Sequence, residues 1–541
     1  MYKVLVAEPI SKAGLADLLH HPEFDIHIMT DLSQSQLLER IGEYDALIVR
    51  SQTMVTEELL SSARRLRVVA RAGVGVDNID IQAATRNGVI VINSPGANTI
   101  AAAEHTLAMM LALSRSIPRA HGSVSLGEWK RSSFQGVELY GKTLGIIGMG
   151  KIGTEVAKRA KAFQMNILGY DPFLTEERAG KLGAEKASIE EIAARSDFIT
   201  VHTPLIPATK NLINRDFLDR AKPGVRIINC ARGGIIDEDA LMEALESGKA
   251  GGAALDVFSN EPPEISRLQH PNLITTPHLG ASTIEAQDKV AQEISEEIID
   301  ILETRSVRNA VNMPQMSSET QKRLQPFLQL GEQAGLLAVQ LLNSAPEQID
   351  IQYAGNLVEE DTDLLSRIIM KGILSCHMSD SVNLVNAFHL LKEQGVTYNV
   401  QNNPATKGFE NYLELKLVSG NHIAIIGATV LNGFGGRIVK MNDYRIDVRP
   451  EQHLLYIKHV DIPGMIGHVG SILGSHGINI GTMQVGRSAV GGEAIMILTL
   501  DKCLGKEEID ALRSIRGLTS IQSLELPDLQ AASSIQTAIP L

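Results

Sequence analysis

The sequence predicts an α/β protein with two doubly wound parallel sheets, followed by two smaller α+β domains. Short apolar runs alternate with helical segments over residues 3–95 and again over residues 144–303, which predicts the two parallel sheets. The last block, residues 454–526, has the order strand, helix, strand, strand, helix, strand. At about 150 residues per domain, 541 residues give three or four domains.

The first two blocks supply most of the predicted strands. In the first block, the predicted strands are residues 3–7, 26–29, 46–49, 68–70 and 89–93. A helix at 99–113 precedes the second block, which opens with the strand at residue 144. Its later strands are residues 167–170, 198–202, 226–229, 253–257 and 273–275, and it ends in a helix at 283–303.

Pro314 and the pair Ser317-Ser318 mark the boundary to the rest of the chain. The following part predicts helices at residues 320–342, 364–376 and 384–392, and strands at 349–353, 412–418, 423–429 and 444–448. The final part predicts strands at residues 454–458, 478–485, 494–500 and 521–525. Residues 528–541 are rich in Ala, Ser and Gln and are expected to fray.

The composition excludes several classes of protein. With 50 Lys and Arg against 63 Asp and Glu, the net charge is −13, which disfavours binding to nucleic acid or to anionic membranes. No apolar run reaches the roughly 18 residues of a membrane span, and the N-terminus is too polar for a signal peptide. The three cysteines have neither disulfide nor metal-ligand spacing. We expect a cytoplasmic protein without a metal site.

A glycine-rich motif predicts a dinucleotide site. Gly148-Met149-Gly150-Lys151-Ile152-Gly153 follows an apolar strand and opens a helix, so its glycines allow a tight turn, approach of the pyrophosphate and close packing. Asp171 ends the next strand, 18 residues after Gly153, where a carboxylate meets the ribose hydroxyls. Since its charge repels a 2′-phosphate and Pro172-Phe173-Leu174 offers no Arg, we expect NAD rather than NADP.

Three residues near strand ends of the second block fit oxidation of a 2-hydroxy acid. His278 can take the hydroxyl proton near neutral pH, and Glu261 can hold the imidazole and stabilise its protonated form. Arg232 can bind the substrate carboxylate with two hydrogen bonds. Each residue alone is equally typical of a strand end, but behind a dinucleotide motif the three together indicate catalysis.

Several runs carry a family resemblance. Residues 1–312 resemble the D-isomer-specific 2-hydroxyacid dehydrogenases. The runs that support this are Gly148–Gly153, His202-Thr203-Pro204-Leu205, Asn229-Cys-Ala-Arg-Gly-Gly-Ile-Ile-Asp237, Ala254-Leu-Asp-Val-Phe258, Glu261-Pro262 and Thr276-Pro-His-Leu-Gly-Ala281. The resemblance implies that Arg232, Glu261 and His278 are catalytic. The cofactor contacts that it or the glycine motif implies are Val74, Gly148, Gly150, Lys151, Ile152, Gly153, Asp171, Thr203, Cys230, Ala231, Arg232, Asp256, His278, Leu279, Gly280 and Ala281.

The resemblance also implies a domain arrangement. A Rossmann domain, residues 98–289, is inserted in a flavodoxin-like substrate domain made of residues 1–97 and 290–314. The run from Arg71 to Asn78, with Trp129-Lys130-Arg131, is similar to the branch of the family that oxidises D-3-phosphoglycerate to 3-phosphohydroxypyruvate, the first step towards L-serine. Residues 315–452 and 453–527 match the intervening domain and the ferredoxin-like ACT domain of the long form of that branch, and residues 528–541 remain a tail.

A phosphorylated substrate needs further cationic and N–H groups. Besides Arg232 and His278, the candidates are Arg50, Ser51, the N–H groups of Gly73, Val74 and Gly75, and Lys130 and Arg131 from a neighbouring subunit. The alternative is that Lys130 and Arg131 form a solvated face.

For the ACT-like part, the resemblance implies L-serine as an effector between paired subunits. The candidate contacts are His459, Asp461 and Asn479. The alternative is an ACT domain that only packs. Edge-to-edge pairing of such domains favours a homo-oligomer, expected to be a tetramer.

Two other functions stay open at this point. One is a glyoxylate or hydroxypyruvate reductase on the same scaffold, whose two-domain versions lack the residues after 312. The other is a dinucleotide-sensing binding protein, against which the intact set of Arg232, Glu261 and His278 argues.

Overall fold

The computed structural model describes residues 1–304, 307–314, 318–376, 378, 382–405 and 407–527. The expected fraying of residues 528–541, and the Ser317 half of the predicted boundary, lie outside this part of the chain. None of the described helices is both long and apolar enough to cross a membrane.

The first sheet has five parallel strands in the order β2-β1-β3-β4-β5, which is the flavodoxin-like order. Its elements are β1 (Tyr2–Val6), α1 (Ala16–Leu19), β2 (Phe24–Ile28), α2 (Gln34–Arg40), β3 (Ala46–Val49), α3 (Glu57–Ser62), β4 (Val68–Arg71), α4 (Ile81–Arg86) and β5 (Ile90–Asn93). Helices α2, α3 and α4 begin where Ser33, Thr56 and Asp80 accept a backbone N–H with their side chains.

The second sheet has seven parallel strands in the order β12-β11-β10-β9-β6-β7-β8, which is the Rossmann pattern with one more strand at the β12 edge. Its elements are α5 (Thr99–Ser114), α6 (Ile117–Ser125), β6 (Thr143–Ile147), α7 (Lys151–Ala162), β7 (Asn166–Tyr170), α8 (Glu176–Leu182), β8 (Glu185–Lys186), α9 (Ile189–Arg195), β9 (Phe198–Val201), α10 (Arg215–Arg220), β10 (Val225–Asn229), α11 (Glu238–Glu246), β11 (Ala250–Leu255) and β12 (Leu273–Thr275).

The chain then returns to the first sheet. Helix α12 (Ile284–Ile299) packs against α1, β4 and β5, and a π-helical turn, Asp300–Thr304, extends it. Ala310 bridges Ile92 of β5, and the N–H of Val311 donates to the carbonyl of Val91 at 2.7 Å. The second sheet is therefore inserted between two parts of the first unit, as the family resemblance implies.

The third sheet has six strands in the order β14-β13-β15-β16-β17-β18, of which only β13 and β14 are parallel. Its elements are α13 (Ser318–Leu342), β13 (Gln348–Gly355), α14 (Asp363–Ser375), α15 (Ala387–Glu393), β14 (Thr397–Asn403), β15 (Asn411–Ser419), β16 (His422–Leu431), β17 (Gly435–Met441) and β18 (Tyr444–Val448). Strands β14 and β17 were not predicted from the sequence.

The fourth sheet is antiparallel, with the order β20-β21-β19-β22 of a ferredoxin-like fold. Its elements are β19 (His453–Val460), α16 (Met465–Ser475), β20 (Ile480–Arg487), β21 (Glu493–Leu500), α17 (Lys506–Arg513) and β22 (Leu518–Glu525). The side-chain amide of Gln340 on α13 accepts from the N–H of Glu525 and donates to its carbonyl, both at 2.8 Å, and so covers the end of edge strand β22.

One hydrophobic core connects three of the four sheets. It contains Val4 and Ile92 of the first sheet, Leu337 of α13, Ile351 of the third sheet and Leu454 of the fourth, all at most 1% exposed. The second sheet instead has a separate core on each of its faces. The predicted fold class, two doubly wound α/β units followed by an α+β and a βαββαβ unit, is confirmed.

Candidate active site

The glycine loop between β6 and α7 has the space that a pyrophosphate requires. Gly148 has φ +100°, and a Cβ there would lie 2.5 Å from the carbonyl oxygen of His202. A Cβ at Gly153 would lie 2.0 Å from the Gly148 oxygen, so helix and strand pack without room for a side chain. A Cβ at Gly150 meets nothing within 4 Å, and no side chain caps α7 there. The loop is thus open where the first N–H groups of α7 are free to bind an anion.

Asp171 lies against this loop, at the end of β7. Its Oδ2 accepts the N–H of Met149 at 3.0 Å, and its Oδ1 accepts the N–H of Phe173 at 2.9 Å. Each carboxylate oxygen still has a free lone pair for a ribose hydroxyl. The position fits the predicted ribose contact.

The other predicted cofactor residues surround the same crevice at the carboxyl ends of β9, β10 and β11. The Oγ1 of Thr203 is buried and has no hydrogen-bond partner among the described residues, as expected of a group kept for a ligand. The N–H of Ala231 donates to the side chain of Asn229 at 3.0 Å, and Nζ of Lys151 lies 3.5 Å from the carbonyl of Pro95. Together with the open loop, these groups fit a bound dinucleotide.

Two titratable groups in this crevice are held in their neutral forms. Burial raises the pKa of the Cys230 thiol to about 12, with a further contribution from the charge of Asp256. Burial lowers the pKa of His202 to about 4. Neither group is therefore ionised near neutral pH, and neither is a candidate nucleophile or acid.

His278 and Glu261 are brought together by two loops at the edge of the second sheet. Nδ1 of His278 lies 2.8 Å from Oε2 of Glu261, and both side chains are partly exposed, at 43% and 38%. The other oxygen of Glu261 accepts the N–H of Phe258 at 3.1 Å, which fixes the carboxylate. The carboxylate therefore sets the ring orientation and leaves Nε2 for a substrate proton.

Asp256 supports the loop that carries His278. Its side chain is fully buried at the end of β11 and accepts from Oγ1 of Thr276 at 2.6 Å and from the N–H groups of Leu279 and Gly280 at 2.7 and 2.8 Å. Nε2 of His105 lies 3.3 Å away. Burial alone would raise the pKa of Asp256, but these hydrogen bonds outweigh it and hold the pKa below its ordinary value.

Arg232 connects the two parallel sheets. It follows β10 of the second sheet, yet its Nε lies 3.3 Å from Oδ2 of Asp77 in the first, and a Cβ at Gly75 would lie 2.3 Å from its Nη2. Its Nη1 donates to the carbonyl of Ala231 at 2.6 Å. The structure thus places Arg232 at the predicted anion loop, Gly73 to Gly75.

A second cationic side chain, Arg71, lies at the same loop and was not predicted as a site residue. It ends β4, and a Cβ at Gly73 would lie 1.6 Å from its Nη1. Its Nε is buried and has no partner among the described residues. Burial and the positive charge of Arg232 lower the pKa of Arg71 to about 10. Its place at the carboxyl end of a parallel strand was the available signal.

Glu8 organises the third cationic candidate, Arg50. Its carboxylate, 6% exposed, accepts the N–H groups of Arg50 and Thr53 at 2.8 Å and of Gln52 at 3.2 Å. Nη1 of Arg50 donates to the carbonyl of Pro9 at 3.1 Å. The neighbouring Ser51 is exposed. Glu8 was also missed, because a lone Glu after β1 has no recognisable motif.

Lys130 and Arg131 lie on an exposed segment after α6. Nζ of Lys130 donates to Oε1 of Glu128 at 2.6 Å, and Arg131 begins a 3-10 turn, Arg131–Phe134. The structure does not bring either one to Arg232 within the chain. Of the predicted effector residues, His459 is 3% exposed, while Asn479 is exposed and donates its N–H to Asp501 at 3.2 Å. Asp461 lies 3.5 Å from Nη1 of Arg487 and accepts the N–H of Gly491 at 3.3 Å.

Three family models match successive parts of the chain. Residues 107–280 match the NAD binding domain of D-isomer specific 2-hydroxyacid dehydrogenases. Residues 323–442 match the intervening domain of D-3-phosphoglycerate dehydrogenase, and residues 453–517 match the ACT domain.

Curated relatives are similar over almost the whole chain. A D-3-phosphoglycerate dehydrogenase from Bacillus subtilis is 44% identical over 528 residues, covering 97% of this chain and 100% of the relative. The enzymes of that name from Synechocystis sp. and Methanocaldococcus jannaschii are 43% and 42% identical over 97% of this chain, covering 95% and 100% of their own lengths.

Solved structures are similar over a little more than half of this chain. A glyoxylate reductase from Paecilomyes thermophila is 30% identical, with a TM-score of 0.53 over 57% of this chain and 98% of the other. An NAD-dependent formate dehydrogenase from Staphylococcus aureus, in complex with NAD, is 30% identical, with a TM-score of 0.52 over 57% of this chain and 99% of the other.

Proposed function

Since the chain belongs to the D-3-phosphoglycerate dehydrogenases, which transfer hydride from D-3-phosphoglycerate to NAD, we propose that Arg232, Glu261 and His278 divide this reaction among them. The observation that carries the assignment is the 2.8 Å contact between Nδ1 of His278 and Glu261 beside the dinucleotide crevice. The reaction is the first step of the phosphorylated route to L-serine.

His278 takes the proton of the substrate hydroxyl on Nε2 while Glu261 stabilises the imidazolium that forms. Arg232 holds the substrate carboxylate, with the N–H groups of the Gly73–Gly75 loop on the same side. Bound in the dinucleotide crevice, NAD would supply the acceptor for the hydride that leaves C2 of the substrate. Asp171 binds the adenosine ribose and, by its charge, selects NAD over NADP.

The phosphate of the substrate meets the cationic groups of the first sheet. Burial, with the positive charges of Arg232 and Arg50, lowers the pKa of Arg71, so an anion bound beside these cations is favoured. Lys130 and Arg131, which are exposed, add to this site from a second copy of the chain. A two-carbon acid such as glyoxylate, which has a carboxylate but no phosphate group, would leave these cations unused, which argues against the reductase alternative.

The reaction is tested by following NADH formation from D-3-phosphoglycerate, and NADH consumption with 3-phosphohydroxypyruvate, hydroxypyruvate and glyoxylate in parallel. We expect phosphorylated substrates to be strongly preferred. His278→Ala should lower turnover about 100-fold or more and leave NAD binding, measured by calorimetry, nearly unchanged. Faster turnover of glyoxylate would support the reductase instead, and NAD binding without any turnover would support a sensor.

The domain limits that we propose are residues 1–97 with 290–314 for substrate, 98–289 for NAD, 315–452 for the intervening domain and 453–527 for the ACT domain. Helix α12 supports the return at residue 290, because it packs on β4 and β5 of the first sheet.

We also propose a homo-oligomer, with a tetramer as the expected size. Large apolar side chains are exposed on and after α6, namely Ile117 (52%), Val124 (56%), Leu126 (82%) and Trp129 (84%). They precede Lys130 directly, so a copy seated on this surface could present Lys130 and Arg131 to its partner's site. Leu126→Asp should shift the mass in sedimentation equilibrium to a smaller species, and an unchanged mass would exclude this surface.

We propose L-serine as the effector of the ACT domain. Asp461 would receive the ammonium group once its contacts with Arg487 and Gly491 rearrange, and Asn479 would receive the carboxylate from a paired domain. L-serine should then lower activity, and Asp461→Ala or Asn479→Ala should raise the half-inhibiting concentration about tenfold. Uninhibited turnover should not change. Asp510→Ala, at an exposed position of α17, is the matched control, and the absence of serine binding to the intact oligomer would refute the proposal.

A further inference from the structure

Arg178 differs in its ion pairing from three basic residues on helices α7 and α8 of the second unit. It lies on α8, four residues beyond Leu174, where the sequence showed no Arg near the ribose position. Lys158 and Arg159 pair with Glu155, and Lys181 pairs with Glu177. Within the described part of the chain, no carboxylate pairs with Arg178, and its Nη2 instead donates to the carbonyl of Met149 at 3.2 Å.

That carbonyl belongs to the residue that Asp171 holds from the other side. The N–H of Met149 donates to Oδ2 of Asp171 at 3.0 Å, so a carboxylate and a guanidinium bind the two ends of one residue of the glycine loop. Given standard backbone dimensions, their contacting atoms are at most about 10 Å apart. The side chain of Arg178 is exposed and long enough to turn towards the ribose.

We infer that Arg178 is the cationic half of a 2′-phosphate subsite that the charge of Asp171 keeps closed. This inference rests on the proposed ribose contact of Asp171. A carboxylate beside the ribose binds a 2′-hydroxyl and repels a 2′-phosphate, whereas a guanidinium binds a phosphate with two parallel hydrogen bonds. The chain therefore excludes NADP by one residue, although it already contains the side chain that would bind NADP.

The test is a cycle of Asp171→Ala, Arg178→Ala and the double variant in the full-length oligomer, with kcat/KM measured for NAD and for NADP. Asp171→Ala should raise the efficiency with NADP about tenfold or more. Adding Arg178→Ala to the Asp171→Ala variant should lower kcat/KM about tenfold for NADP and less than about threefold for NAD. Lys181→Ala on the same helix is the control and should change neither.

If adding Arg178→Ala lowers kcat/KM equally for NAD and for NADP, the inference is overturned, because Arg178 would then only shape the loop through Met149. A second readout is calorimetric binding of adenosine 2′,5′-bisphosphate against 5′-AMP to the Asp171→Ala background, with and without Arg178. Only the bisphosphate should lose affinity, by about tenfold, and Arg178→Lys should restore part of it.

An Asp171→Ala variant that keeps its full preference for NAD would refute the proposed ribose contact, and with it the closing role of Asp171. A variant that loses this preference, but whose kcat/KM for NADP does not depend on Arg178, would leave the ribose contact standing and overturn the inference alone. In the wild-type background, where Asp171 closes the subsite, Arg178→Ala should change KM for NADP by less than about twofold.

Discussion

Nδ1 of His278 lies 2.8 Å from Oε2 of Glu261, although the two residues are 17 positions apart in the sequence. His278 has φ +56°, and its N–H donates to the carbonyl of Asp256 at 2.9 Å. The backbone thus turns the ring towards the carboxylate.

Glu261→Gln should reduce kcat about tenfold to 100-fold, because a neutral amide cannot stabilise the imidazolium that forms when His278 takes the substrate proton. The 2.8 Å contact between Nδ1 of His278 and Oε2 of Glu261 is the reason to expect this effect. The measurement is kcat and KM for D-3-phosphoglycerate and for NAD. Glu264→Gln, in the same loop, is the control. If turnover does not change, the two residues are not coupled in catalysis.

Asp256→Asn should lower kcat about tenfold to 100-fold, with a smaller change in KM for NAD. An amide in this position turns an NH₂ group towards the N–H donors of Leu279 or Gly280, so the loop that carries His278 loosens. Steady-state kinetics with both substrates measures the change in kcat and the change in KM for NAD separately. Asp239→Asn, at an exposed ion pair with Arg267, should have no effect. A change in KM for NAD alone would instead indicate a direct cofactor contact.

Arg71→Met should raise KM for D-3-phosphoglycerate about tenfold or more, because it removes a half-buried cation from the proposed phosphate site. Inorganic phosphate should raise the melting temperature of the wild-type protein and have little effect on the variant. An anion binds the protonated guanidinium, whose pKa is about 10, so phosphate affinity should fall as the pH rises through that value. Arg86→Met, paired with Glu57, is the control. Equal stabilisation of both proteins by phosphate contradicts the assignment.

Glu8→Gln should destabilise the protein at pH 7 by about 1–3 kcal/mol, since a buried carboxylate that accepts several N–H groups is lost. Burial would raise the pKa of Glu8, but the N–H groups of Thr53, Arg50 and Gln52 outweigh it, so the pKa lies below its ordinary 4.5. Its stabilisation is therefore present above pH 4.5 and is lost as the pH falls through the lower folded-state value. The melting temperatures of the wild-type protein and of Glu8→Gln, measured at several pH values, should converge in acid. Glu43→Gln, at an exposed ion pair with Lys3, gives the baseline.

Most of the architecture could be predicted from the pattern of apolar residues in the sequence. Apolar runs between helical segments predicted eleven of the twelve strands of the two parallel sheets, all but the two-residue β8, because buried strands of such sheets are continuously apolar. Strand β14 was missed since Thr397–Asn403 is polar and exposed at a sheet edge, and β17 was missed because it opens with Gly435-Gly436. Neither shows the alternation that marks a half-buried strand.

The candidate site also contains some residues that could be predicted from the sequence and some that could not. Residues in recognisable runs, such as Gly148, Asp171 and His278, could be found from the sequence. Arg71 was missed although it ends a predicted parallel strand, because its closeness to Arg232 is seen only in the structure. Glu8 and Arg178 could not be found, because their significance lies in tertiary contacts: the N–H groups after β3 and the carbonyl of Met149. Single charged residues without a motif are typical of any surface.

The core shared by three sheets has a consequence for cooperativity. Residues such as Val4, Leu337, Ile351 and Leu454 should lose their packing together, so the first, third and fourth sheets should melt as one thermodynamic unit. The Rossmann sheet, with cores of its own, should form a second unit. Scanning calorimetry should then resolve two transitions, of which NAD raises chiefly the one that belongs to the Rossmann sheet.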